Sequence, residues 1–305
     1  MGNIIEVTGL KKSFGSLEAV KKVNFTVKGG SLFAFLGPNG AGKSTTIDII
    51  STQLQPDAGE VIIDGYRLGQ DDDRIRSSIG IVFQDSLLDP LLTVEENLQT
   101  RGRLYGRSRP ELKTAIEAAA ETAGVAEFLK RPYGKLSGGQ RRRADIARAL
   151  IHTPKVLFLD EPTTGLDPQT RKRVWEMILK LQREQGLTVF LTTHYMEEAA
   201  QADYITIIDH GEILAQGTPL ELKNRYASDM LRIKPADDGK LAALLEELGL
   251  AFDRDAAGIY RIALNHTVEA LGILDRCRDN IANLEVVNGT MDDVFINLTG
   301  TEVRN

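Results

Sequence analysis

The chain has 305 residues, 42% of them hydrophobic and 26% charged, with a formal net charge of −6 and one cysteine. That ordinary globular composition excludes a disordered or collagen-like chain. A single cysteine, Cys277, excludes a disulfide-stapled scaffold and fits a reducing compartment. The charge is uneven: residues 226–305 hold 8 Lys and Arg against 14 Asp and Glu, whereas residues 1–225 hold 29 of each. With no basic domain, no nucleic-acid partner is expected.

The N-terminal stretch MGNIIEVTGLKKSFG lacks the apolar run of a secretory signal, and Glu6 stands where a myristoylation pattern needs Ser or Thr. The segments EVTGLKKSF, AVKKVNFTVKGG and GEVIIDG read as antiparallel strands with Gly turns, a β flap. The apolar runs SLFAFLG, GIVFQ, KVLFLD, TVFLTTH and YITIIDHGEI read as buried strands, all far short of the ~20 residues that span a bilayer. Helical patterns lie between them in KSTTIDIISTQ, ELKTAIEAAAETAG, GGQRRRADIARALIH and QTRKRVWEMILKLQREQG. Strands alternating with helices predict βαβ units and a largely parallel sheet. Residues 91–150 carry no strand pattern and are expected to form a helical subdomain.

From about residue 226 the rhythm changes. MLRIKP reads as a strand, GKLAALLEELG as a helix, FDRDAAGIYRIAL as two strands, TVEALGILDRCRDN as a helix, LEVVNG as a strand and MDDVFINLT as a last helix. The order β-α-β-β-α-β is that of a split βαβ, ferredoxin-like unit. The expected organisation is an α/β nucleotide-binding core over 1–225, with a mixed sheet, antiparallel β flap and helical subdomain, and a small C-terminal α+β domain over 226–305.

Gly37-Pro38-Asn39-Gly40-Ala41-Gly42-Lys43-Ser44 matches GxxxxGK[ST] in the context the motif requires, after one strand and opening a helix. The glycines let backbone N–H groups wrap phosphate oxygens, and the helix N-terminus adds partial positive charge. Lys43 would reach the β- and γ-phosphates and Ser44 would offer its hydroxyl to Mg²⁺. A chance glycine turn is the bland alternative, and the strand–helix context weighs against it. Val156–Glu161 is an apolar strand ending in two acids, at the strand end where doubly wound sheets bind ligands. Asp160 would hold Mg²⁺ and Glu161 would polarise an attacking water. Alone this is an acidic turn; beside a phosphate loop it gains the metal such a loop needs.

Leu136-Ser137-Gly138-Gly139-Gln140 precedes a further helix. Ser137 is placed as an N-cap, and the two glycines allow a phosphate close to the backbone. An ordinary capping box would look similar. Two helix ends built for phosphate suggest a nucleotide held between two copies of the chain. The run Arg141-Arg142-Arg143 reads first as a solvated basic face.

With GPNGAGKST, LSGGQ and VLFLDEPT in one chain, residues 4–220 resemble the nucleotide-binding subunits of ATP-binding-cassette transporters. The resemblance implies a head-to-tail dimer with two ATP molecules, each between one chain's loop, Gly37 to Thr45, and the other's signature, Ser137 to Gln140. It implies that Phe14 stacks on adenine, where the family usually has Tyr. It implies that Gln84 senses Mg²⁺ and the attacking water, that Asp167 crosses to the opposite subunit and that His194 contacts the γ-phosphate, and it would let one of Arg141, Arg142 and Arg143 support the signature helix. Their bland alternatives are a core Phe, a strand cap, an Asp in a Pro turn and a structural His. No expected catalytic position is missing, so both sites of a homodimer should be competent.

The stretch THYMEEAAQADYITIIDHGEILAQGTPLELK with the tail ending DDVFINLTG is similar to the ATPase subunits of daunorubicin-resistance-type exporters. This implies a separate membrane permease, a location at the cytoplasmic face of the membrane, and export of a drug, a polysaccharide or lipid-linked cargo, or an ion. A soluble cassette ATPase acting on DNA or ribosomes is the alternative. It would carry coiled-coil heptads, zinc cysteines or a second loop and signature, and none is seen. A P-loop kinase or GTPase is disfavoured by LSGGQ and His194 and by the lack of an NKxD motif.

Overall fold

Residue alternation sets the first strands. In β1 (Asn3–Phe14) and β2 (Leu17–Lys28) polar and apolar residues take turns, so one face is buried and the other faces water. By contrast β3 (Leu32–Leu36) is apolar throughout and buried on both sides, the pattern of a central parallel strand. The computed structural model describes residues 2–300. Helix α1 (Lys43–Ile50) follows β3, then β4 (Ala58–Ile63), β5 (Tyr66–Arg67), α2 (Asp72–Ser78) and β6 (Ile79–Val82). The helical segment comprises α3 (Val94–Gly102), α4 (Arg109–Thr122) and α5 (Gly138–Leu150). After it come β7 (Val156–Asp160), α6 (Pro168–Gln185), β8 (Thr188–Thr193), α7 (Met196–Ala199), β9 (Tyr204–Asp209) and β10 (Glu212–Gly217).

Two sheets result. The flap is antiparallel, in the order β2-β1-β4-β5; the central sheet runs β10-β9-β3-β8-β7-β6, five parallel strands with β10 antiparallel at its edge. Aromatic rings join them. Phe190 of β8 lies with ring centroids 6.0 Å from Phe25 of the flap, 5.0 Å from Phe33, 5.7 Å from Phe35 and 5.3 Å from Phe158. Close offset and tilted pairs of this kind add to their area burial.

The chain divides into two compact units at Thr218/Pro219. The sequence reading put the change at 225/226, and the helix between explains the difference. Helix α8 (Pro219–Tyr226) packs on α11 (Met291–Thr299), whose Asn297 Nδ2 donates to Tyr226 O at 2.8 Å, so α8 belongs with the C-terminal unit. That unit continues through β11 (Asp229–Pro235), α9 (Asp238–Glu247), β12 (Phe252–Arg254), β13 (Tyr260–Leu264), α10 (Glu269–Cys277) and β14 (Ile281–Val287). Its antiparallel order β12-β13-β11-β14 is the split βαβ arrangement. Leu231, Ile233, Leu241, Leu245, Ile262 and the free Cys277 form its core. Another correction concerns YITIIDHGEI, which is two strands: His210 (φ +47°) and Gly211 (φ +78°) reverse the chain between β9 and β10.

Phe190→Ala would remove the ring at the centre of the aromatic cluster, for a loss of about 3–5 kcal/mol. Urea unfolding should show the transition of the N-terminal unit at clearly lower denaturant, and an unmoved midpoint would count against this packing.

Candidate nucleotide site

The loop Gly37–Ser44 connects β3 to α1, and its glycines are there for space. A Cβ on Gly37 would stand 2.3 Å from the carbonyl oxygen of Ile208 on β9. Gly42 has φ +103°, and a Cβ on it would stand 2.4 Å from the Ala19 carbonyl oxygen of the flap. Gly211 N donates to Ala41 O at 3.0 Å and Lys21 N to Gly211 O at 2.8 Å, so flap, loop and the β9–β10 turn are bound together. Gly42 is also the N-cap of α1 and supplies no side-chain acceptor. The first N–H groups of α1 are therefore available to an anion.

Above this loop opens a cleft of about 830 Å³. It brings together Phe14, Asn39, Gly40, Gly42, Lys43, Ser44, Thr45, Gln84, Glu161 and His194, ten of the residues singled out from sequence. Gly37, Pro38 and Ala41 complete the loop. Phe14 is 51% exposed at the cleft wall, which rules out the core-Phe alternative. Lys43 is buried; its Nζ donates to Gly37 O at 2.8 Å and Pro38 O at 3.1 Å and lies 4.0 Å from Glu161 Oε1. Burial holds the Lys43 ammonium below the ordinary lysine range, against the opposing pull of Glu161 and Asp160.

The carboxyl ends of β7 and β8 build the other wall. Glu161 sits at φ +45°, a conformation rare outside glycine. Its N–H donates to Thr192 O at 3.2 Å and Thr192 Oγ1 at 3.1 Å, and its Oε2 accepts from Thr164 Oγ1 at 3.2 Å. His194 Nδ1 lies 3.3 Å from Glu161 Oε1, within ion-pair range but without hydrogen-bond alignment. Asp160 accepts from Thr192 Oγ1 at 2.5 Å. Burial raises its carboxyl above the usual range, the Thr192 hydrogen bond opposes that, and the neighbouring Glu161 adds to it. A cation there would restore the charged form. Among the described residues no group of three or more His, Cys, Asp or Glu forms a metal site. A divalent ion beside Ser44 and Asp160 would take its remaining ligands from phosphate and water, which suits Mg²⁺.

Ser137, Gly138, Gly139, Gln140 and Asp167 do not line this cleft, and neither does Asp160, whose carboxyl is turned to Thr192. Ser137 caps α5: its Oγ accepts from Gln140 N at 3.3 Å, and Gln140 Oε1 accepts from Ser137 N at 3.1 Å. The capping box considered from sequence is therefore present. Gly139 is needed for packing, since a Cβ would fall 2.0 Å from Thr170 Cγ2. Asp167 caps α6 through Thr170 N at 3.0 Å.

Sequence reasoning missed Thr164 and Thr192, which orient the two acids, because a lone threonine carries no motif. The arginine run divides between the two readings it was given: the solvated face holds for Arg141, and Arg142 is the one that supports the signature helix. Arg142 is buried, Arg141 Nη2 donates to Gly134 O at 2.8 Å, and Arg143 Nη1 donates to Gly124 O at 2.7 Å. All three donate to backbone carbonyls, but only Arg142 leaves the surface: Arg141 is exposed and Arg143 half-buried.

Two families match the chain: ABC transporter over residues 20–164, and the ATP-binding protein DrrA1-3-like C-terminal domain over residues 217–299. The linearmycin resistance ATP-binding protein LnrL of Bacillus subtilis is 36% identical over 99% of this chain and 100% of its own length. The daunorubicin/doxorubicin resistance ATP-binding protein DrrA of Streptomyces peucetius is 38% identical over 97% of this chain and 92% of its own. The Nod factor export ATP-binding protein I of Ralstonia nicotianae is 37% identical over 99% and 95%. Among solved structures, a dimeric ATP-binding cassette in a post-hydrolysis state with ADP and Pi superposes with TM-score 0.64 and 32% identity, covering 70% of this chain and 98% of that one.

Thr192→Val keeps the shape of a fully buried side chain and removes the hydroxyl shared by Asp160 and Glu161. We expect a stability loss of about 1–3 kcal/mol and a fall in ATP turnover on the order of tenfold or more. Thermal melting and steady-state phosphate release check this; unchanged turnover would mean that the hydroxyl does not place the acids.

Proposed function

The chain belongs to the ATP-binding-cassette transporter family as one of its ATP-hydrolysing subunits, and we propose that it works as a head-to-tail homodimer driving a separate drug-exporting permease from the cytoplasmic face of the membrane. The reading rests on one observation. A single chain gathers the phosphate loop, Lys43, Glu161 and His194 in one cleft but leaves Ser137–Gln140 and Asp167 outside it. The missing wall would then come from a second copy, and a relative of known structure is dimeric.

In this reading Phe14 stacks on the adenine, and the loop amides from Gly37 to Thr45 wrap the phosphates. Lys43 gives up its carbonyl partners for β- and γ-phosphate oxygens. Ser44, Asp160 and Gln84 would hold Mg²⁺, which neutralises phosphate charge when bound. Glu161 orients and polarises a water that attacks the γ-phosphorus; the bond to the β-phosphate oxygen breaks, and ADP and phosphate leave. Lys43, His194, the loop amides and the partner's signature turn stabilise the charge that develops in the transition state. Loss of the γ-phosphate removes the contact shared by the two chains, and the dimer reopens. Gln84, on the exposed segment after β6, would carry that motion to the permease. Among the described residues no helix is long and apolar enough to cross a membrane, in keeping with a permease on another polypeptide.

Drug export follows the relatives named for resistance to linearmycin, daunorubicin and doxorubicin. A second reading, export of Nod-factor-type cargo, is favoured by the similarly identical Nod factor export relative. Drug accumulation in cells with and without the chain and its neighbouring permease separates the two.

Glu161→Gln should keep ATP binding, abolish most hydrolysis and hold the chain as an ATP-dependent dimer. Unchanged turnover would remove Glu161 from the chemistry. Lys43→Ala should weaken nucleotide binding itself, and unaltered ATP affinity in a fluorescence titration would contradict the cradle assignment.

A further inference from the structure

Helix α5 begins at the signature turn, and its sixth position back into the chain, counting Ser137 as the first, is Arg142. That side chain is 8% exposed. Its Nη1 donates to Phe83 O at 2.6 Å, and its Nη2 donates to Gln84 O at 3.1 Å and to Glu161 O at 3.3 Å. One guanidinium thus joins the ends of β6 and β7 to the helix that carries Ser137. A planar fork can serve several carbonyls at once, which a single ammonium at the end of a lysine stem does poorly. A buried arginine is expensive to hold unless its donors are used, and here three backbone oxygens use them.

A second contact repeats the linkage one turn further along α5. Buried Asp145 accepts from Ser86 Oγ at 2.7 Å and from Tyr133 OH at 3.2 Å. The segment that bears Gln84 is therefore held to α5 at residues 83, 84 and 86. Its backbone, and the carbonyl of Glu161 with its left-handed φ, are referenced to the signature helix.

We propose that Arg142 is a positioning residue that couples the two nucleotide sites of the dimer: seating of its helix's signature turn on the partner's ATP sets Gln84 and Glu161 in the chain's own site. The coupling is reciprocal, so a chain whose cleft is occupied also presents its signature turn in the register the partner needs. This inference rests on the composite-site reading of the preceding subsection.

The test compares Glu161→Gln alone with the same chain carrying Arg142→Gln or Arg142→Lys. A fluorescent ATP analogue measures nucleotide binding to the monomer, and sedimentation velocity measures ATP-driven dimerisation. Binding to the monomer should stay within about twofold, while dimerisation weakens on the order of tenfold or more. In the otherwise unaltered chain, Arg142→Lys should lower kcat with little change in KM. Dimerisation equal to that of the Glu161→Gln parent would overturn the proposal. So would loss of nucleotide binding in both Arg142 variants, since the arginine would then serve only to fold the unit. Failure of the parent itself to dimerise would sink the composite site first, and this inference with it.

Discussion

A loop can wrap a triphosphate with its backbone N–H groups only where they converge on the phosphates without side chains in the way. The structure meets that constraint by letting three backbones approach within contact distance. Gly37 passes under the Ile208 carbonyl and Gly42 under the Ala19 carbonyl, each at a separation that no Cβ could share. Because Ala19 belongs to the flap and Ile208 to the central sheet, the loop is correctly shaped only when both sheets are in place. The aromatic cluster around Phe190 supplies the cohesion that keeps them there. Sequence, packing and site are linked through these two missing methyl groups.

Around the cleft the chain buries charge that would be destabilising without partners. Lys43, Arg142, Asp145 and Glu198 are all buried, and hydrogen bonds satisfy each. Glu198 accepts from Thr163 Oγ1 and from Thr193 Oγ1, so it ties the turn after Glu161 to the strand end before His194. Desolvation pushes Asp145 and Glu198 upward and Arg142 downward in pKa, with hydrogen bonds or neighbouring charges opposing it in each case. Networks of this kind specify one arrangement because breaking any member leaves a buried polar group unpaired. Glu161 at the cleft and Asp160 beside it in the chain are therefore held in place, though Glu161 sits in a backbone conformation that few residues adopt.

Much of this was legible in the sequence. Strands such as VLFLD and the loop GPNGAGKS combine a hydrophobic period with a motif, and both dictate local geometry. The C-terminal βαββαβ order was readable for the same reason, since each segment there has a clean period and a turn at its end. What escaped reading has a common cause. Thr192, Thr164 and Glu198 act through a partner far along the chain or across a turn, and no local pattern announces such a partner. Which of the three arginines would support the signature helix could not be read, because burial is a property of the packed helix and leaves no mark on composition. The turn at His210-Gly211 was hidden inside an apolar run, where a strand period continues on both sides of the reversal. The edge of the C-terminal unit differs because no local pattern in α8 shows that its partner is α11, 71 residues on.

The shared triphosphate is the claim on which the dimer, the coupling of its sites and the power stroke all depend. Its most direct measurement is an experimental structure of the Glu161→Gln chain crystallised with Mg-ATP. If the two helix ends clasp one nucleotide, Ser137 Oγ of one chain will lie within hydrogen-bonding distance of a γ-phosphate held by Lys43 of the other. An ATP-loaded structure in which Ser137 remains engaged only with Gln140, distant from every nucleotide, would contradict it.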